Sequence, residues 1–242
     1  AAELLIYRKD IFKELDMEAP RTADEMISCA EKIQKKLVGV SGISWNAARG
    51  TPLGHSFLYM MGAFGQPILN LTSLDDGYDA ENIVGENFRP MFNSAIAREV
   101  ANFLKMLLNF SPREILNMSW YERTRCYADG QVGMALAATL LAPLFELDPG
   151  SPAYRNTEYI PIPHGEAGRP MAHVCGYALC IPSNVPTDRL DSIWTALLSL
   201  TSPETTKLYI QNGSLVTPRI STGRDPDVQK RSTLISLVDE MA

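Results

Sequence analysis

The residues that could do chemistry in this 242-residue sequence are three histidines, four cysteines and one short serine motif. Gly54-His55-Ser56-Phe57-Leu58 invites comparison with the nucleophile elbow G-x-S-x-G, which holds a serine on a sharp turn between strand and helix. Its last position is Leu58, and Ser56 falls several residues past Pro52, inside a helix instead of at its entry. Ser56 therefore reads as a packed helix residue, and a hydrolase using Ser56 with His55 or His173 is the competing alternative. His55, His164 and His173 follow neither HxH nor HExxH spacing, so no metal site is expected, and His164 and His173 read as satisfied or surface histidines. Cys29, Cys126, Cys175 and Cys180 lack CxxC spacing, and most of them read as buried free thiols; Cys175 and Cys180 differ in strand parity and make poor partners. No Walker A loop and no GxGxxG follows a strand, so no cofactor is expected. Asp75-Asp76-Gly77-Tyr78-Asp79 lacks the acidic twelfth ligand of a calcium loop and reads as a solvated turn.

The strongest remaining constellation is Trp45-Asn46-Ala47-Ala48-Arg49-Gly50-Thr51. It sits between a strand and a helix, and in α/β sheets ligands collect beyond the carboxyl ends of strands. An aromatic face beside Asn and Arg suits a polyhydroxyl ligand, whose CH groups stack while its hydroxyls meet planar donors and acceptors. The opposite reading, Trp45 in the core and Arg49 a surface charge, is equally open.

Composition narrows the classes. A net charge of −6 and the lack of a basic stripe argue against nucleic acid. No apolar run approaches the roughly 18 to 20 residues that span a bilayer. The opening Ala1-Ala2-Glu3-Leu4-Leu5-Ile6 has neither initiator Met nor signal-like segment and reads as the inside of a strand, as expected for a fragment or a processed chain.

The elements that must position these residues alternate between strand and helix. After the first strand, Lys9 to Leu15 reads as a short helix, and the capping box Thr22-Ala23-Asp24-Glu25 opens an amphipathic helix ending near Gly39. A strand over Val40 to Trp45 precedes a helix over Leu53 to Phe64, and residues 70 to 86 read as loop with a short hairpin. A long helix is predicted over Pro90 to Phe110 and another from the capping box at Ser119 to about Asp129-Gly130. A doubly buried strand begins at Val132, a short helix covers Thr139 to Phe145, and Glu158 to Pro163 is extended. Ala172 to Ile181 is apolar on both parities and predicts a buried central strand, bent or closely approached at Gly176. Helices over Thr187 to Leu200, Pro203 to Asn212 and Val228 to Met241 complete an α/β class with a largely parallel sheet.

The order of these elements resembles the family 1 extracellular solute-binding proteins, the receptors of carbohydrate ABC importers. The resemblance rests on Leu4-Leu5-Ile6-Tyr7-Arg8-Lys9-Asp10-Ile11-Phe12, Pro20 to Met26, Tyr127 to Ala135, Ile162 to Gly168, Gly176 to Pro182, and Leu208 to Gly213 with Val216 to Arg219. It implies a type II periplasmic-binding-protein-like α/β fold, two lobes joined by hinge crossings, with the N-terminal lobe incomplete. Residues 1–173 would form the main part of the C-terminal lobe, 174–216 a segment of the N-terminal lobe, and 217–242 the return crossing and a C-terminal-lobe helix. Trp194, Leu197 and Leu198 would then pack against the missing part of the N-terminal lobe. The implied function is sugar or polyol binding without catalysis, with ABC permease subunits as partners in the periplasm. The implied cleft takes Glu3 near the first hinge, Trp45, Asn46, Arg49, Thr51 and His55 from one loop and helix entry, Thr139 from a strand end, and Gly176 and Tyr177 at the crossing.

Overall fold

The computed structural model describes residues 2–75, 77–174, 176–231, 234, 235 and 237. The first strand, β1 (Ala2–Arg8), is the centre of a five-stranded sheet. A short helix α1 (Lys9–Glu14) follows, then α2 (Ala23–Lys36) and β2 (Ser41–Ser44). α2 starts where the spacing predicts: the Glu25 N–H donates to the Thr22 hydroxyl at 3.2 Å, and the Glu25 carboxylate accepts from the Thr22 N–H at 3.2 Å. Met26, Ala30 and Ile33 make its buried face. Gly42 of β2 lies against Ala30, where an added Cβ would come within 2.4 Å of the Ala30 carbonyl oxygen, so this helix and strand approach as closely as backbone allows.

Next come α3 (Thr51–Ala63), a hairpin of β3 (Ser73–Leu74) and β4 (Gly77–Tyr78), and α4 (Ala95–Leu107). α4 is shorter than the predicted helix from Pro90. Ser94 caps it by accepting from the Ala97 N–H at 3.0 Å, which leaves Phe92 outside and 60% exposed. α5 (Trp120–Ala128) opens on the Ser119–Glu122 capping box and leads through Gly130, at φ +74°, into β5 (Val132–Ala138), every residue of which is buried. The remaining elements are α6 (Pro143–Glu146), β6 (Thr157–Ile160), β7 (His173–Val174), α7 (Leu190–Leu200), α8 (Pro203–Gln211), α9 (Ile220–Gly223) and α10 (Pro226–Gln229).

The strand order is β2-β5-β1-β6, and β1 is antiparallel to β5, β6 and β7. Only β2 and β5 run parallel among the described strands, which corrects the expectation of a largely parallel sheet. Apolar residues on both parities of β5 report that both its faces are covered; they carry no information on strand direction. β6 and β7 share one edge of β1, with β6 along Leu5 to Arg8 and β7 at Ala2 and Glu3.

The predicted central strand from Ala172 to Ile181 is reduced to His173 and Val174, and Cys175 lies outside the described residues. Beyond it residues 176–180 are all exposed, Tyr177 by 97%, so among the described residues this part of the run is covered on neither face. Among the described residues nothing lies within 4 Å of a Cβ built on Gly176, so no described backbone approaches it closely. α7 also has no buried residue, with Trp194 and Leu198 about half exposed. α8 and the following turns are anchored instead: Ile210, Val228 and Ile235 form a small cluster, and Leu215 and Leu234 join the main core. Half of the predicted helix from Val228 to Met241 lies outside the described residues, and of the rest Val228 and Gln229 belong to α10.

Candidate functional site

The loop from Trp45 to Gly50 is tied down before it enters α3. The N–H groups of Ala47 and Ala48 donate to the Met118 carbonyl at 3.2 and 3.0 Å, and the Ser44 hydroxyl donates to the Arg123 carbonyl at 3.0 Å. The start of α3 is thereby held beside the start of α5, at the end of the sheet where β1 begins and β5 finishes. The Ala2 N–H donates to the Thr139 hydroxyl at 3.0 Å, joining those two strand ends directly.

A buried ion pair sits at this junction. Arg123 of α5, with no exposed surface, donates from Nη2 to both Glu3 carboxylate oxygens at 2.8 and 2.9 Å. The pair neutralises a carboxylate that burial would otherwise make costly. His55 of α3 places its Nδ1 3.9 Å from Glu3 Oε1. Around it stand three rings: Tyr59 at 5.4 Å, His173 at 5.6 Å and Trp120 at 5.9 Å between centroids, the first two edge-on. The Tyr59 hydroxyl lies 3.0 Å from that of Ser56, which donates to the Asn46 carbonyl at 2.8 Å. A continuous polar and aromatic cluster therefore joins β1, the loop after β2, α3, α5 and β7.

Its electrostatics follow from burial. Desolvation lowers the His55 pKa, His173 and Arg123 reinforce that, and Glu3 opposes it, so the imidazole is neutral at pH 7. Burial also raises the Tyr59 phenol, with Arg123 moderating the effect. The outcome is a part-exposed set of rings, His55, His173 and Trp120, backed by the buried Tyr59 and a pinned ion pair. It can stack on CH groups and exchange hydrogen bonds with hydroxyls.

The structure gathers Glu3, Asn46, His55 and Thr139 at this junction. Asn46 is fully buried; its carbonyl serves Ser56, while both polar atoms of its amide side chain have no hydrogen-bond partner. Arg49 and Thr51 are exposed at the α3 entry, and Gly176 and Tyr177 are exposed past β7, separate from the ring cluster. Trp45 requires a correction: only 2% exposed, with its indole N–H donating to Ser111 at 3.0 Å, it packs into the core and offers no open face for stacking. His173, read from sequence as a satisfied or surface residue, is half-buried against His55. Arg123, Trp120 and Tyr59 are members of the cluster that the sequence reading does not single out. Arg123 lies at i+3 from Trp120 and at i−4 from the buried Tyr127, on the inner stripe of α5, and that position is the available signal. The Ser56 hydroxyl, buried and committed to Asn46 and Tyr59, does not support a nucleophile. Among the described residues no group of three or more His, Cys, Asp or Glu side chains could hold a metal ion.

A sequence profile of the family described as bacterial extracellular solute-binding protein matches residues 1–205. The chain belongs to this family. A search of curated protein sequences finds no match. Among solved structures, the chain superposes on an ABC transporter solute-binding protein of Agrobacterium radiobacter K84 in complex with ribitol, with a TM-score of 0.84 and 21% identity over 99% of this chain and 57% of that one. Maltose-bound MalE3 of T. maritima gives 0.83 and 21% over 99% and 58%, and a D-mannitol-bound solute-binding protein of Agrobacterium vitis S4 gives 0.74 and 18% over 99% and 56%. These likenesses establish a shared periplasmic-binding-protein-like α/β fold. The chain spans a little over half the length of those chains. None of its described helices is long and apolar enough to cross a membrane.

Proposed function

We propose that the chain supplies one wall of an inter-lobe cleft that binds a neutral sugar or polyol for delivery to an ABC permease in the periplasm, with no chemical step. The observation that carries this reading is the ring cluster of His55, His173, Trp120 and Tyr59, backed by the Glu3–Arg123 pair where β1 begins and β7 leaves the sheet. Membership in a solute-binding family and a fold shared with proteins solved with ribitol, maltose and D-mannitol support it.

The proposed layout keeps residues 1–173 as the main part of one lobe, 174–216 as a segment of the other, and 217–242 as the return. The exposure of residues 176–180 and of α7 supports the first boundary, because an apolar run and an apolar helix face are both left uncovered there. Ile210 packs with Val228 and Leu215 joins the main core, and these contacts fasten the end of the middle segment to the rest of the chain. In the proposed site His55 meets the ligand at the junction, with Glu3, Asn46 and Thr139 backing it from buried positions, and Arg49, Thr51, Gly176 and Tyr177 reach the ligand from the exposed loop and the crossing.

Isothermal titration of the full-length protein with ribitol, D-mannitol and maltose tests this. Binding of at least one of them, weakened by His55→Ala and by Trp120→Ala, is expected. A protein that ignores all sugars and polyols but binds an amino acid or a phosphorylated compound would remove the substrate class.

A further inference from the structure

The short strand β7 is tethered just upstream, where Met171 and Ile162 exchange backbone hydrogen bonds at 2.8 and 3.4 Å. It is held at its end of the sheet by pairing with Ala2 and Glu3 and by the contacts of the His173 ring with His55 and, at 6.3 Å, Tyr59. Past it, residues 176–180 are exposed, so β7 is where the chain departs from the packed lobe. We propose that His55 and His173 form a pH-sensitive latch, which docks β7 onto α3 when both rings are neutral and releases it when they are protonated.

The geometry sets the direction. With centroids 5.6 Å apart and planes at 74°, the edge of one neutral ring meets the face of the other, a favourable aromatic contact. Protonation puts like charges at that distance inside a partly desolvated site, where they are screened less than in water. The groups facing His55 are Glu3 on β1, Tyr59 on α3, Arg123 on α5 and His173 on β7. Glu3 attracts a proton to His55, but its carboxylate is already held by Arg123, and Arg123 and His173 both repel one. Burial lowers the pKa of His55 in the docked state, so the docked state binds protons less well than the released one, and acid favours release. Every factor of about ten that docking takes from the proton affinity of His55 returns as a docking equilibrium about tenfold weaker in acid.

The latch stands on this chain alone, while its effect on ligand rests on the sugar-binding reading above, and the experiment separates the two. The three imidazoles are followed by NMR between pH 4.5 and 8, and hydrogen exchange is measured on peptides covering His173 and Val174 after correction for intrinsic rates. His55 should titrate below the ordinary histidine value of about 6.5, and its midpoint should rise in His173→Phe, which keeps a ring and removes the second charge. Protection at β7 should fall several-fold from pH 7.5 to 5 in the wild type and stay flat in the His55→Phe/His173→Phe variant. A His55 midpoint unmoved by His173→Phe overturns the latch, and so does equal loss of protection in the double variant. Should the double variant fail to fold by circular dichroism, the NMR comparison with His173→Phe decides. Titration of the full-length protein with ribitol, D-mannitol and maltose at the two pH values forms the second arm. Affinity that falls in acid supports control of the site by the latch. If β7 releases in acid but none of the three binds at any pH, the latch holds and the sugar reading fails.

Discussion

Removing Arg123 alone should be among the most damaging single changes in the protein. Its guanidinium has no exposed surface, and the Glu3 carboxylate it holds at 2.8 and 2.9 Å is 1% exposed. Arg123→Ala leaves that carboxylate buried without its guanidinium donor, 3.9 Å from the His55 imidazole. Breaking one side of such a pair costs about 3 to 5 kcal/mol, because the stranded charge keeps its desolvation penalty. For a chain of this size each kcal/mol corresponds to about 2 to 4 °C in Tm, so a drop of roughly 6 to 20 °C is expected. The Glu3→Gln/Arg123→Met double variant removes both charges and should be markedly more stable than Arg123→Ala. Urea and thermal unfolding followed by far-UV circular dichroism provide the assay. An Arg123→Ala loss below about 1 kcal/mol, or a double variant less stable than the single one, would refute the reasoning.

Gly42→Ala should destabilise by about 1 to 3 kcal/mol in urea unfolding, since its Cβ would meet the Ala30 backbone at 2.4 Å and force β2 away from α2; a neutral result would mean that this contact yields freely. In a Cys175→Ser background, iodoacetamide at pH 8 should alkylate exposed Cys180 first and Cys126 last by peptide mass mapping. Burial pushes the Cys126 thiol up to about 12, leaving only about one thiolate in ten thousand at that pH. His55 binds a proton less readily in the folded state than in the unfolded one, so its contribution is complete above the ordinary histidine value of about 6.5 and is lost as pH falls below it. The urea midpoint should therefore decline less from pH 7.5 to 5.5 in His55→Phe than in the wild type, and parallel declines would count against it.

Local signals are the most legible part of the sequence. The boxes at Thr22–Glu25 and Ser119–Glu122 open α2 and α5 as expected, because a cap is completed within four residues and needs no tertiary partner. The run from Ala172 to Ile181 misleads for the converse reason. Its composition states what the segment would bury, but burial also requires something to cover it, and the described chain leaves Tyr177 and Leu179 exposed. Strand direction is equally invisible, since β5 is apolar on both parities whether its neighbour runs parallel or antiparallel. At the site, loop composition draws attention to Trp45, whose large apolar ring is as useful to a core as to a ligand, and the fold assigns it to the core. Arg123 escapes notice because a charge within a helix reads as solvated. Only its pairing with Glu3, 120 residues away in sequence, explains its burial.

The central claim is that the junction of Glu3, His55, Trp120, Arg123 and His173 is the wall of a sugar or polyol cleft. Isothermal titration of the full-length protein with ribitol, D-mannitol and maltose, beside its His55→Ala and Trp120→Ala variants, tests it most directly. The account predicts saturable binding of at least one of these compounds, weakened in both variants while their circular dichroism stays native. Binding unchanged in both variants, or no sugar or polyol bound at all, would contradict it.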